Sequence, residues 1–108
     1  MASGMLEPYQ AEWCPHSHRV RQRLTELGVP FIARQVAAEP EDRDEMRAAT
    51  GSDTIPVLVL GDGTVLALEA EEIVAELDRC YPEPAAAGAH RAKGAAAHYE
   101  DPANVAGF

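Results

Sequence analysis

Cysteine is scarce in this chain: Cys14 and Cys80 are the only two in 108 residues. Two thiols without an export signal do not make a disulfide scaffold. Aromatic residues are few as well, 6% against 46% apolar residues overall, so the core must be aliphatic. No apolar run approaches the ~20 residues that a bilayer-spanning helix needs. The opening MASGMLEPYQ lacks the basic start and apolar stretch of a secretory leader, which makes a cytoplasmic location the expectation. Basic residues are outnumbered, nine Lys and Arg against eighteen Asp and Glu, for a net charge of −9. That balance offers no basic face for nucleic acid, and the acid excess is read as solubility. What remains is one domain with one core, with neither a membrane nor a nucleic acid as partner.

What is present is an ordered run of elements. Met5–Tyr9 is a short strand candidate interrupted by Pro8. From Pro15 to Gly28 the pattern is helical: Val20, Leu24 and Leu27 fall at i, i+4 and i+7, Pro15 suits a first turn, and Gly28 suits a helix end. Residues 29–36, VPFIARQV, alternate and read as a strand; residues 39–51 read as a short charged helix closed by Gly51. Residues 55–60, IPVLVL, are a continuous apolar run, as expected of a strand covered on both faces. Asp62-Gly63 then predicts a hairpin turn into TVLAL, residues 64–68. A last helix runs from about Glu69 to Cys80, with Ala70, Ile73, Val74 and Leu77 on one face. The order is β-α-β-α-β-β-α, an α/β fold with a small mixed sheet flanked by helices. The domain is expected to occupy residues 1–82. Residues 83–108, rich in Ala, Gly and Pro and without an apolar stripe, are expected to form a tail with little fixed structure.

Chemistry concentrates at EWCPHSHRVRQRL, residues 12–24. The thiolate is the reactive form of cysteine, and a free thiol with pKa about 8.5 is mostly protonated at neutral pH. At a helix start, unpaired N–H groups and the positive dipole end favour the anion. Cys14 sits at such a junction, where Pro15 gives up no useful donor. The bland alternative is a small buried hydrophobe. Ser17 stands where a second cysteine could resolve a mixed disulfide internally; serine cannot, and its hydroxyl could instead donate to the Cys14 sulfur. Cys14, His16 and His18 could also be read as metal ligands, Cys14 and His18 sharing an i, i+4 face, but no matching second pair accompanies them and no metal is expected. Arg19, Arg21 and Arg23 read most simply as a solvated helix face. Cys80, beside Tyr81 at a helix end, reads as a packing residue.

These features together resemble a glutaredoxin, and equally the thioredoxin-fold N-terminal domain of a glutathione transferase. The resemblance covers roughly residues 5–81. It is carried by Cys14-Pro15-His16-Ser17 after a first strand, Thr54-Ile55-Pro56-Val57, and Leu68-Glu69-Ala70 opening the last helix. It implies a thioredoxin-like four-stranded mixed sheet and a single-thiol, glutathione-linked thiol–disulfide oxidoreductase. Cys14 would be the nucleophile with Ser17 beside it, and Trp13, Pro15 and His16 would flank the thiol. A cis Ile55-Pro56 bond would face it and let an extended peptide pair with Ile55. Glu69 and the Ala70 amide would take the γ-glutamyl end of glutathione. The resemblance implies no bound cofactor, with glutathione or a similar small thiol as co-substrate. A disulfide-bearing protein or small molecule would be the substrate. The alternative is a glutathione- or peptide-binding module without turnover that uses the same groove; for Glu69 by itself, the bland alternative is a first-turn acid complementing the helix dipole. Three departures stand out. Gln10, Glu12 and Trp13 occupy the stretch where a basic residue often precedes the cysteine, leaving Arg19 or Arg34 to compensate for Glu12. Ala70 replaces a common serine. The Cys-Gly-Phe-Ser of cluster-carrying members is absent.

Overall fold

Strand β1, Glu7–Gln10, sits at the centre of the sheet and sets the frame for everything else. In the computed structural model, which describes residues 4–96, four strands lie in the order β2-β1-β3-β4. β2 (Arg34–Gln35) runs parallel to β1, with Tyr9 opposite Arg34 and Gln10 opposite Gln35. β3 (Val57–Val59) runs antiparallel on the other side, with Pro8 opposite Leu58 and Tyr9 opposite Val57. β4 (Val65–Leu66) closes the hairpin with β3. Pro8 lacks an amide, yet it stays in the central strand; the β2 ladder begins one residue later. The fold is the mixed four-stranded, thioredoxin-like arrangement that the element order predicts.

Adjacent residues of a strand point to opposite faces. On β3 this splits the core in two. Leu58 joins Leu6, Val20, Leu24, Leu27, Leu66, Ile73 and Leu77 beneath helices α1 (Pro15–Leu27) and α3 (Ala70–Cys80). Val57 joins Ala11, Cys14, Met46 and Ile55, with Met46 supplied by α2 (Asp44–Thr50). Each large aliphatic side chain so buried contributes roughly 1.5–3 kcal/mol. Gly28 ends α1 with φ of 69°, the left-handed region, and its N–H reaches back to the helix carbonyls. In the hairpin turn, Gly63 has φ of 93° and Asp62 Oδ1 accepts from the Thr64 N–H at 2.9 Å. Gly61 is required for space: a side-chain carbon there would fall 2.7 Å from the Gly4 carbonyl oxygen.

Four expectations are corrected. The strand expected over 29–36 shrinks to Arg34–Gln35 plus a single parallel bridge between Leu6 and Phe31. Pro30 brings no amide to a ladder, and β2 is an exposed edge with few partners to extend it. The helix expected over 39–51 breaks in two, a 3-10 turn at Pro40–Asp42 and then α2. The break falls at Arg43, whose φ of −91° and ψ of 52° are not helical. The arginines of α1 are not all solvated. Arg19 pairs with Glu71 at the surface, but the Arg21 and Arg23 side chains are only 14% and 12% exposed. Arg23 bridges Glu26, Asp78 and Glu83, tying α1 to α3 and to the chain beyond it. Finally, the segment after Pro82 is not without structure: helix α4 spans Ala87–Ala96 and packs on α1. The remainder of that tail, from residue 97, lies outside the described residues.

A polar clasp explains why an Ala-rich stretch without a stripe can dock. Only Ala87 of α4 is buried. Gln22 of α1 donates to the His90 carbonyl at 3.2 Å, and Arg91 pairs with Glu83 and, at 3.6 Å, with the buried Glu26. Burial alone would raise the Glu26 carboxyl. Hydrogen bonds from Arg23 and Gln22, with the charge of Arg91, outweigh it and hold the group below its ordinary 4.5. A carboxyl lowered by folding stabilises above its unfolded value and loses that contribution as pH falls through the folded one. Acid from about pH 4.5 downward should therefore weaken this junction, and Glu26→Gln should flatten the pH dependence of the melting temperature in that range. Ending the chain after Pro82 should lower stability by about 1 kcal/mol, read as a shift of the urea midpoint.

Candidate functional site

The sulfur of Cys14 occupies the position where a helix-capping oxygen usually sits. Cys14 is the N-cap of α1 in extended conformation, Pro15 is the first helical residue, and the Ser17 N–H donates to Cys14 Sγ at 3.4 Å. One orphan amide of the helix start thus finds its acceptor in the sulfur. Ser17 is fully buried rather than on the helix surface. Its hydroxyl is engaged by the loop, with Ser17 Oγ accepting from the Ala11 N–H at 3.5 Å. The contact that reaches the sulfur is the one from the Ser17 backbone amide.

Two loops frame this point. The β1–α1 loop is tightened by the Cys14 N–H donating to the Ala11 carbonyl at 3.2 Å. Across from it, Ile55 is buried in the same cluster as Cys14, and the Ile55-Pro56 bond is cis. Pro56, the next residue, also borders a cleft, one of about 350 Å³ that it lines with Ser52, Thr54, Ala67, Leu68, Glu69 and Glu72. Glu69 is the exposed N-cap of α3 and Ala70 its first helical residue. Glu72 reaches back to accept from the Glu69 N–H at 3.2 Å. Trp13 is 37% exposed and His16 is exposed on the first turn of α1. Of the predicted residues, Cys14, Ser17 and Ile55 are buried together, Trp13, Pro15 and His16 lie around the start of α1, and Pro56 and Glu69 line the cleft, with Ala70 next to Glu69 at the start of α3.

Electrostatics around the thiol differ from the expected compensation. Arg34 is committed to Glu7 at 2.6 Å and Arg19 to Glu71 at 2.8 Å, so neither serves Glu12. Arg21 does, at 3.2 Å from the Glu12 carboxylate. His18 lies in the same neighbourhood; burial first and the Arg21 charge second push its imidazole below the ordinary 6.5, only partly offset by Glu12.

Two features escaped the sequence reading. Arg43 is 2% exposed, and its guanidinium donates to the carbonyls of Ala37 at 2.8 Å, Ala38 at 3.0 Å and Asp53 at 2.7 Å. It fixes the loop after β2 to the loop that leads into Ile55. A larger cleft of about 550 Å³ opens beside it, between β2 and α2. Its lining residues Tyr9, Val36 and Met46 also pack around the Cys14 cluster. No composition signal marks either feature, because Arg43 sits in a run of acids that reads as solvated.

Exposure also reverses the expected contrast between the two thiols. Cys14 has no exposed surface, while Cys80, expected to pack, is exposed at the end of α3. Chemistry at Cys14 therefore requires a local opening of its cover. A bulky maleimide should label Cys80 first and Cys14 only slowly, followed by peptide mass. Arg43→Lys, whose single ammonium cannot span the carbonyls now met by three separate guanidinium nitrogens, should cost about 3 kcal/mol in urea unfolding and speed Cys14 labelling.

Comparison with known proteins adds a family to this geometry. The family model described as Glutaredoxin matches residues 6–65. The chain is 35% identical over 54 residues to a glutaredoxin of Pseudomonas aeruginosa, a match that covers 50% of this chain and 64% of that one. Among solved structures, glutaredoxin 2 of Salmonella typhimurium, in complex with glutathione, superposes with a TM-score of 0.63 at 21% identity, over 76% of this chain and 36% of that one. A glutathione transferase homologue from Sulfitobacter with bound glutathione gives 0.59 at 22% identity, over 85% and 48%. These likenesses establish the fold, and the chain spans less than two thirds of the relatives it matches.

Proposed function

The chain belongs to the glutaredoxin family, and on that premise we propose that it is a single-thiol, glutathione-linked thiol–disulfide oxidoreductase acting through Cys14. The observation that carries the reading is the capped sulfur: Cys14 at the N-cap of α1, with the Ser17 amide 3.4 Å from Sγ. In the forward step the Cys14 thiolate attacks one sulfur of a disulfide R–S–S–R′. A Cys14–S–S–R bond forms as the S–S bond breaks, and R′S⁻ leaves to take a proton. A small external thiol, such as glutathione, then attacks that mixed disulfide as its thiolate. It leaves bonded to R, and Cys14 departs as thiolate. Substrate disulfide is reduced and the external thiol is oxidised, so no bound cofactor is required.

Ser17 makes the external thiol necessary. The other cysteine, Cys80, lies at the opposite end of α3 from Ala70, about 15 Å along a helix rising 1.5 Å per residue. In this reading Trp13, Pro15 and His16 border the entering disulfide. Ile55 and Pro56 align the tripeptide, and Glu69 with the Ala70 amide meets its γ-glutamyl end, the carboxylate of Glu69 suiting an ammonium group. The same reading places the protein in the cytoplasm, where a reduced thiol pool supplies the second step. It also leaves nucleic acid and membrane out of the partner set. Among the described residues no helix is long and apolar enough to cross a membrane.

A second reading has one observation in its favour. A thiol with no exposed surface suits a module that holds glutathione or a peptide in the cleft without turnover. Intact mass after treatment with oxidised glutathione separates the two. One glutathione adduct is expected, lost in Cys14→Ser and retained in Cys80→Ser, with subsequent release by reduced glutathione. Binding of glutathione without any adduct would favour the module. Loss of two hydrogens without an adduct would mean that Cys14 and Cys80 pair, and the one-thiol mechanism would fall.

A further inference from the structure

We infer that Arg21 is the positioning residue of the Cys14 loop, setting the turn that seats the thiol and neutralising Glu12 beside it. The inference rests on the reading of Cys14 as nucleophile and adds a residue that this reading does not use. Arg21 lies in the second turn of α1, and its guanidinium turns back under the β1–α1 loop. It donates to Gln10 Oε1, to the Ala11 carbonyl at 3.3 Å and to the Glu12 carbonyl at 3.5 Å, and it pairs with the Glu12 carboxylate at 3.2 Å. The Ala11 oxygen is shared: the Cys14 N–H donates to it as well. Arg21 and the amide of the reactive residue thus converge on one acceptor.

The anchor behind this clamp is stiff. Gln10 is 2% exposed and donates to Gln35 Oε1 at 3.0 Å, so the Arg21 side chain is braced through Gln10 against β2. Three consecutive residues, Gln10, Ala11 and Glu12, are held by one forked cation that presents five donors in a plane. Charge matters as much as shape. Glu12 precedes the thiol by two residues, and an unpaired carboxylate there would disfavour a thiolate. Pairing with Arg21 offsets that charge, and the Ser17 amide still donates to the sulfur. Other titratable groups on the elements around the thiol are Tyr9, packed against the Cys14 cluster, His16 and His18 on α1, and Asp53, two residues before Ile55. His18 is held toward its neutral form, and Asp53 is paired with Arg47 at 2.8 Å.

The test uses the full chain carrying Cys80→Ser, so that one thiol remains, and follows iodoacetamide alkylation of Cys14 against pH. Arg21→Gln should move the midpoint of the alkylation profile to higher pH, while its plateau rate at high pH, which reports opening of the cover, should rise as it does for Arg43→Lys. Glu12→Gln, an exposed substitution that leaves the fold intact, should move the profile to lower pH. The midpoint of the double variant should return close to that of the parent. Should Arg21→Gln fail to fold, the Glu12→Gln profile alone decides, because a thiol indifferent to that charge has no use for its neutraliser. Profiles that superimpose on the parent, with only the melting temperature changed, would reduce Arg21 to a structural residue and overturn the inference. Turnover of a glutathione mixed disulfide is measured in parallel. If the profiles move as stated while turnover is absent, the exchange reading fails and the positioning role stands. If turnover is normal and the profiles are fixed, the positioning role fails alone.

Discussion

A guanidinium sealed from water and shared among three carbonyls is the constraint on which the site depends. Arg43 has no carboxylate opposite it among the described residues, so its charge is compensated only by the oxygens of Ala37, Ala38 and Asp53. Burying a cation in this way is costly unless its donors are satisfied together. The cost is what makes the arrangement selective: the three carbonyls must converge, or none of the burial is tolerable. Convergence ties the exit of β2 to the entry of β3. Because Asp53 lies two residues before Ile55, the same tie sets where Ile55 and Pro56 stand relative to Cys14. It also accounts for the interruption between the 3-10 turn and α2, since Arg43 leaves helical geometry to point inward.

Arginine recurs in that role at three levels of the molecule. Arg43 fastens loops on the α2 side of the sheet, Arg21 braces the β1–α1 loop, and Arg23 bridges α1, α3 and the chain beyond. In a chain with 6% aromatics and a small aliphatic core, packing alone specifies relative loop positions loosely. Planar forks with several fixed donors specify them tightly. The acid excess then has a structural share beside solubility, because Glu26, Glu83, Asp78 and Glu12 are partners of these cations.

Much of the fold was legible because it rests on local rules. The i, i+4, i+7 spacing of Val20, Leu24 and Leu27, the left-handed stop at Gly28, the Asp62-Gly63 turn and the apolar run into Val57 and Leu58 each depend on neighbours in sequence. Cys14 before Pro15 marked the helix start for the same reason. The illegible parts depend on partners remote in sequence. Arg43 looks like one charge among many until Ala37 and Asp53 are brought beside it. Arg21 and Arg23 look solvated until β1 and α3 close over them. Helix α4 has no stripe to detect, because a single alanine and a polar clasp hold it. The burial of Cys14 is a property of what Met46, Ile55 and Val57 do around it, and no residue of its own helix foretells it.

That burial turns reactivity into a product of two quantities. If the cover must open before a sulfur can approach, the observed rate is the intrinsic rate multiplied by the open fraction, and every 1.4 kcal/mol of opening cost removes about a factor of ten. The same factor applies to every reagent, peroxide included. A permanently open thiolate would be drawn toward sulfinic and sulfonic acids, which no thiol pool reverses. A covered one spends little time exposed to them, and under the proposed exchange reaction a substrate that stabilised the open loop would recover for itself the rate that bystander oxidants are denied.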